Sequence, residues 1–199
     1  MITNENTPTI ETERLILRKF TEHDADALFE LLSDKDINTF LPWFPLKNIN
    51  DANQFLQERF LAYYHKPSSY RYAICRKENK QPIGYVWLSD TESHDFGYAL
   101  KKEFWNLGMA TEASKAVVER IKYAGYAYIT ATHDRNNLSS GKVMKKLGMS
   151  YKYSYVEQWQ PKDIPVTFRM YQLNFDGYEE RTYMEYWNKY KEHFVENNV

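Results

Sequence analysis

The chain has 199 residues, 43% of them hydrophobic and 27% charged, with a formal net charge of -1. That length suits one large domain with a core of its own, and the near-zero charge excludes the basic footprint of a nucleic-acid-binding protein. A single cysteine, Cys75, excludes an internal disulfide, and no cluster has zinc-ligand spacing, so no metal is expected.

Residues 1–10 are polar and lack the apolar core of a signal peptide. No apolar run reaches membrane-spanning length, so a cytoplasmic protein with no membrane partner is expected. Residues 14–20 read as a strand with Leu15 and Leu17 inward. Thr21 caps a helix whose stripe is Ala25, Leu28, Phe29, Leu31 and Leu32. Leu41, Pro42, Trp43, Phe44 and Pro45 form a rigid apolar loop, and Asp51 begins a second helix. Three extended runs follow, at 70–76, 82–89 and 95–101, the first two joined by a polar turn that favours antiparallel pairing. Cys75 lies in the first of these runs and reads as core, not as a nucleophile. The period then changes. Met109 to Tyr123 is helical, with Ala113, Val117 and Ile121 on one side and Gly125 at its end. Residues 126–132 form a strand, 137–147 a helix stopped by Gly148, and 151–158 and 166–174 two more strands. Residues 178–196 have helical spacing, with Tyr183, Tyr186, Trp187, Tyr190 and Phe194 on one stripe. This order predicts an α/β domain over 8–176, a mixed sheet with helices on both faces. An amphipathic helix over 177–199 would pack on the domain or form a dimer contact, leaving monomer and homodimer both open.

Two segments carry chemistry. In Trp105-Asn106-Leu107-Gly108-Met109-Ala110-Thr111-Glu112-Ala113 a loop opens directly into a helix. The unpaired N–H groups and dipole of such a helix start form an anion site, and Gly108 lets the backbone approach a phosphate. The spacings of the dinucleotide fingerprint and of the Walker loop are both missing. In the second segment, His133 to Met149, an Asn/Ser cluster precedes a short helix. Helix capping by Asn137 and a functional role for it stand level.

Together these segments resemble the GNAT superfamily of N-acetyltransferases, whose pyrophosphate motif is matched at Gly108 and Ala110. Trp105 and the following Thr111-Glu112-Ala113 resemble the branch of the ribosomal-protein N-terminal acetyltransferases, with Asn106 in place of that branch's first glycine. Asn137, Ser140, Val143, Lys146, Leu147, Gly148 and Met149 fit the branch's second motif at every position. The opening residues 11–18 and Gly97-Tyr98 also look like it, and the likeness spans about residues 8–174.

The resemblance implies a GNAT-like, mostly antiparallel sheet of about seven strands with helices on both faces, plus an extra C-terminal helix. It implies acetyl-CoA as cosubstrate and direct attack by an amine on the thioester. Backbone of Trp105, Asn106, Leu107, Gly108, Met109, Ala110 and Thr111 would hold the coenzyme's pyrophosphate. Backbone of Ala99 and Leu100 would hold the pantetheine arm and polarise the acetyl carbonyl, and Asn137 would bind the same arm. Asp95 is the candidate base, against the competing reading of a solvated acid at a strand end. The superfamily's tyrosine acid falls at Met144, and the resembled branch places a serine at position 140, so the resemblance makes Ser140 the candidate donor to the leaving thiolate. Trp43, Phe44, Tyr153, Tyr155 and Trp159 are candidate walls of the acceptor groove. The acceptor is expected to be a protein or peptide N-terminal amine. A small amine such as a polyamine, amino acid or antibiotic is the rival, and a non-catalytic CoA-binding module the third possibility.

Overall fold

A computed structural model of the protein describes residues 6–66 and 70–199. One antiparallel sheet runs in the order β1 (Ile10–Glu11), β2 (Leu15–Arg18), β3 (Arg71–Arg76), β4 (Pro82–Leu88) and β5 (Phe96–Leu100). A second, also antiparallel, has the order β6 (Tyr128–Asp134), β8 (Ile164–Asn174), β7 (Ser150–Trp159) and β9 (His193–Phe194). The longer strands are those the sequence pattern predicts, and β1 and β9 are two-residue additions at the sheet edges.

Strand alternation sorts the core. Leu15, Leu17, Tyr72, Ile74, Val86 and Leu88 face one side of the first sheet, and Ala73, Cys75 and Tyr85 face the other. Helix α4 (Met109–Tyr123) covers the first side with Ala113, Val117 and Ile121, spaced one turn apart and fully buried. Helices α1 (Ala25–Ser33) and α3 (Ile49–Arg59) cover the other with Leu28, Leu31, Leu32 and Leu56. Between them lies α2 (Lys35–Asn38), unexpected from sequence, whose start is capped by Asp34. Cys75 is buried as expected, and desolvation pushes its thiol up to about 11, so it serves packing.

Helix α5 (Leu138–Lys146) ends at Gly148 with φ of 85°. There Met149 N–H reaches Met144 O at 3.1 Å and Gly148 N–H reaches Lys145 O at 3.0 Å, a Schellman stop. Met144 itself is in the core, 1% exposed.

Among the described residues the two sheets touch at one parallel bridge, Asp95 to Thr130, beside which Thr130 N–H donates to His94 O at 3.2 Å. No ladder continues from there, so β5 and β6 part and leave an opening between two strand edges.

The extra C-terminal helix expected over 177–199 is present only as one short helix. Only Glu185–Lys189 is helical (α6), and His193–Phe194 pairs with the free edge of β7 as β9. Tyr183, Tyr186, Trp187 and Tyr190 lie on Tyr153, Tyr155, Phe168 and Met170 of the second sheet. Aromatic residues have modest helix propensity, so packing on a sheet face and pairing at a strand edge override the helical spacing. The tail is then clamped. Glu196 accepts from Arg169 Nε at 3.0 Å and Nη2 at 2.5 Å, and from Ser154 Oγ at 2.6 Å.

Candidate active site

The turn before α4 is shaped by two left-handed residues, Asn106 (φ 60°) and Gly108 (φ 78°). Asparagine tolerates that region better than other side chains, which is how Asn106 stands where the resembled branch has glycine. The first bond of the helical ladder is Glu112 N–H to Gly108 O at 3.0 Å, so the N–H groups of Met109, Ala110 and Thr111 precede it. Gly108 is the N-cap and offers no side-chain cap. A Cβ placed on it would meet Arg14 Nη2 at 3.6 Å. The mouth is therefore open backbone with a guanidinium beside it, which fits a diphosphate.

Glu112 explains why the turn holds its shape. Its Oε1 accepts from Thr12 Oγ1 at 2.6 Å and Arg14 N–H at 2.9 Å, and its Oε2 from Arg14 Nε at 2.7 Å. Arg14 Nη1 then donates to Leu107 O at 3.0 Å. Desolvation works against the ionised carboxyl, but these bonds outweigh it and hold Glu112 below the usual range. Strand β2 is thereby stapled to the turn. Trp105 adds a second anchor, its Nε1 donating to Leu100 O at 2.8 Å.

That bond also fixes which backbone groups face the opening. Ser89 N–H bonds Asp95 O and Lys101 N–H bonds Ile83 O, so the alternating main-chain groups of 95, 97, 99 and 101 point at β4. The expectation for Ala99 is corrected accordingly, since its N–H and C=O belong to the ladder with Tyr85. Those of Tyr98 face the opening together with the Leu100 N–H, while Phe96 N–H belongs to the Thr130 bridge and Leu100 O takes the Trp105 indole.

Across it stands the start of α5. Asn137 Oδ1 accepts from Ser140 N–H at 3.2 Å, so Asn137 caps the helix. Tyr98 Oη donates to Ser140 O at 2.8 Å and lies 2.9 Å from Ser140 Oγ. Burial pushes the Tyr98 phenol well up, keeping it protonated. Gly141 lets this first turn sit against β6, because a Cβ there would come within 2.8 Å of His133 Nε2.

Asp95 sits where the sheets separate. Its Oδ1 is buried with no hydrogen-bond partner among the described residues. Desolvation pushes its carboxyl up to about 7, opposed by Thr130 and the Thr132 main chain. An acid whose pKa rises on folding holds its proton better in the folded state. Asp95 therefore costs stability as pH climbs from 3.8 through about 7.

The face beside Asp95 is aromatic. The Trp87 indole lies over Gly97, whose Cβ would meet Trp87 Nε1 at 2.2 Å. Trp43 packs edge-on to Trp87 at 6.0 Å and to Phe55 at 4.9 Å, with its Nε1 buried and unpartnered among the described residues. Phe44 is 56% exposed at the rim. Trp159 is half-buried, edge-on to Phe168 at 5.2 Å. Lys162, in the β7–β8 hairpin, donates to Asn38 O across the groove. Two expected walls are corrected. Tyr153 is buried, its hydroxyl bonded to Tyr183 O at 2.6 Å, and Tyr155 is buried beneath Tyr190, stacked at 4.7 Å. The C-terminal segment covers both.

Sequence reasoning missed Arg14, Trp87, the hydroxyl role of Tyr98 and the C-terminal tyrosines. For Tyr98 a signal existed, since Gly97-Tyr98 belongs to the resembled pattern. Arg14 lies in the resembled opening too, but for it and the others contacts between distant segments decide. A separate open cleft is lined by Glu92, Tyr128, Arg181 and Tyr183, the last of them one of these C-terminal tyrosines.

Residues 14–150 match the family model described as an acetyltransferase (GNAT) domain. The uncharacterized N-acetyltransferase YoaA of Bacillus subtilis (strain 168) is 30% identical over 146 residues, 71% of this chain and 82% of that protein. Among solved structures, a GNAT-family acetyltransferase from Bacillus anthracis superposes with a TM-score of 0.74 at 22% identity, covering 85% of this chain and 99% of that one. The ribosomal L7/L12 alpha-N-protein acetyltransferase RimL, solved with coenzyme A, superposes with a TM-score of 0.76 at 17% identity, covering 85% and 99%. The chain belongs to the GNAT family and is an acetyl-CoA-dependent N-acetyltransferase with the mixed α/β fold of that family.

Proposed function

We propose that the protein acetylates the N-terminal α-amine of a protein or peptide in the cytoplasm, with Asp95 taking the amine proton and Ser140 serving the leaving sulfur. The observation that carries this assignment is Asp95 itself, a half-buried residue whose Oδ1 is buried and unpartnered among the described residues where the two sheets part. Its pKa of about 7 suits a base that works on an ammonium of reference pKa near 8. The likeness of the fold to RimL supports a protein acceptor.

Bound acetyl-CoA supplies the activated acetyl group. The chain's own residues do the rest. The N–H groups from Asn106 to Thr111 hold the diphosphate at the mouth of α4, with Trp105 pinning the turn. Main-chain N–H groups of Tyr98 and Leu100 on the open edge of β5 take the pantetheine arm and polarise the carbonyl. Asn137, its Oδ1 spent on the cap, has its Nδ2 hydrogens for the same arm. Trp43, Phe44, Trp87 and Trp159 exclude water from the acceptor side.

A small amine is the second reading, and one observation favours it. The Lys162–Asn38 bond closes part of the groove that a peptide would cross. Thiol release from acetyl-CoA, followed over a panel of peptides and small amines, separates the two. Turnover on peptides alone supports the first reading, and turnover on small amines alone replaces it. Asp95→Asn should lower kcat about a hundredfold and abolish the acidic limb of the kcat/KM profile near pH 7. A limb that survives the substitution removes Asp95 as base.

A further inference from the structure

The two hydroxyls between β5 and α5 can satisfy each other in only one way at rest. A phenol has one proton, and Tyr98 Oη spends it on Ser140 O, 2.8 Å away. Ser140 Oγ, 2.9 Å from Tyr98 Oη, must then be the donor of the second bond. The Ser140 proton is thus turned toward Tyr98, and the Oγ lone pairs are left toward its surroundings. In that state Ser140 cannot donate to a sulfur.

We propose that Tyr98 is a positioning residue that switches Ser140 between a resting and a donating arrangement. It rests on the assignment of Ser140 to the leaving sulfur made above. As negative charge builds on the sulfur, the Ser140 Oγ–H turns toward it. The Tyr98 Oη–H turns from Ser140 O to the Ser140 Oγ that has just lost its own donor role toward the phenol. No O–H bond breaks in either rotation, and the leaving group gains a hydrogen bond whose donor is polarised by a second hydroxyl behind it. Ser140 O loses little, because its other lone pair remains available to the α5 ladder. The half-buried Tyr98 ring packs against the core on the side that carries α4, so its hydroxyl is held in place by packing. Among the described residues, the carbonyl and the hydroxyl of one residue are the two stations it chooses between.

The test is a double-mutant cycle of Tyr98→Phe and Ser140→Ala in the full chain, with kcat and KM for acetyl-CoA measured at saturating acceptor. Each single variant should lower kcat about five- to tenfold, with KM for acetyl-CoA within about twofold of wild type. The double variant should be no slower than Ser140→Ala alone. Coenzyme A titration of each variant guards against misfolding, since a distorted α5 would weaken binding as well as turnover. If Ser140→Ala keeps wild-type kcat, the serine is not the donor and the switch falls with it. If Ser140→Ala is slow but Tyr98→Phe is not, or if the two losses multiply, the serine stands and the switch alone is overturned.

Discussion

The two ends of this site are built from different materials. The coenzyme end is contiguous backbone: a left-handed Asn106, a left-handed Gly108 and the first turn of α4, held from outside by Glu112 and Arg14. The proposed acceptor end is side chain, gathered from Trp43, Trp87, Asp95, Trp159 and the C-terminal tyrosines, which are far apart in sequence. Backbone geometry depends little on which side chains surround it, whereas the second end depends on each of them. The difference teaches that substitutions at the two ends should fail in separable ways.

The largest effect is expected from Gly108→Asp. It places a side chain at φ 78° and a negative charge at the anion mouth. Coenzyme A affinity by calorimetry should fall about a hundredfold or more, while the pH at which turnover half-rises stays put. A variant that binds normally would break the division at once.

Tyr186→Ala attacks the other end. Tyr155 and Tyr186 stack at 5.2 Å, and the Asp95 charge acts on both phenols. The groups facing Asp95 are Thr130 and Thr132 of β6, Tyr155 of β7 and Tyr186 of α6. Desolvation is what raises Asp95, so opening this wall to water should move the acidic limb of kcat/KM down by about one pH unit. Coenzyme A affinity should not change. A limb that stays near 7 in this variant would mean that the C-terminal segment contributes nothing to the base.

Glu112→Gln sharpens the comparison from the side of the staple. It weakens the bonds to Thr12 and Arg14 without touching the diphosphate, so coenzyme A affinity should fall several-fold and stability by about 1–2 kcal/mol. Glu196→Gln is the mildest. Arg169 first, and then Ser154 against the cost of burial, holds the Glu196 carboxyl down to about 2. Its stabilisation is therefore complete above the unfolded value of 4.5 and is lost as pH falls toward 2. The variant should be less stable by about 1 kcal/mol at neutral pH and equal to wild type in strong acid, by chemical denaturation.

How much of this was legible in the sequence follows the same division. The mouth of α4 was readable because its determinants are local: a glycine at the turn, small residues in the first turn and an unpaired N–H row that any helix start must have. The Asn137 cap and the Gly148 stop were readable for the same reason. Asp95 could be named from its place before Phe96, but its burial and raised pKa come from β6, β7 and the C-terminal segment, which no local pattern reveals. Of Ala99 and Leu100 the sequence cannot say which faces out, because only the register of β4 against β5 decides it. Tyr153 and Tyr155 were placed in the groove because nothing in the sequence says that residues 183–190 lie over them. The same stripe that suggested a long helix is what covers them, and whether five aromatics wind or spread is settled by the sheet they land on.

The most direct test of the central claim follows backbone amide resonances during a titration with coenzyme A. The largest shifts should fall on Asn106, Leu107, Gly108, Met109, Ala110 and Thr111, followed by Tyr98 and Leu100 on the open edge of β5. The amides of Gly97 and Ala99, locked into β4, should move least among their neighbours. Binding that leaves 106–111 unmoved, or shifts Ala99 more than Leu100, would contradict the account.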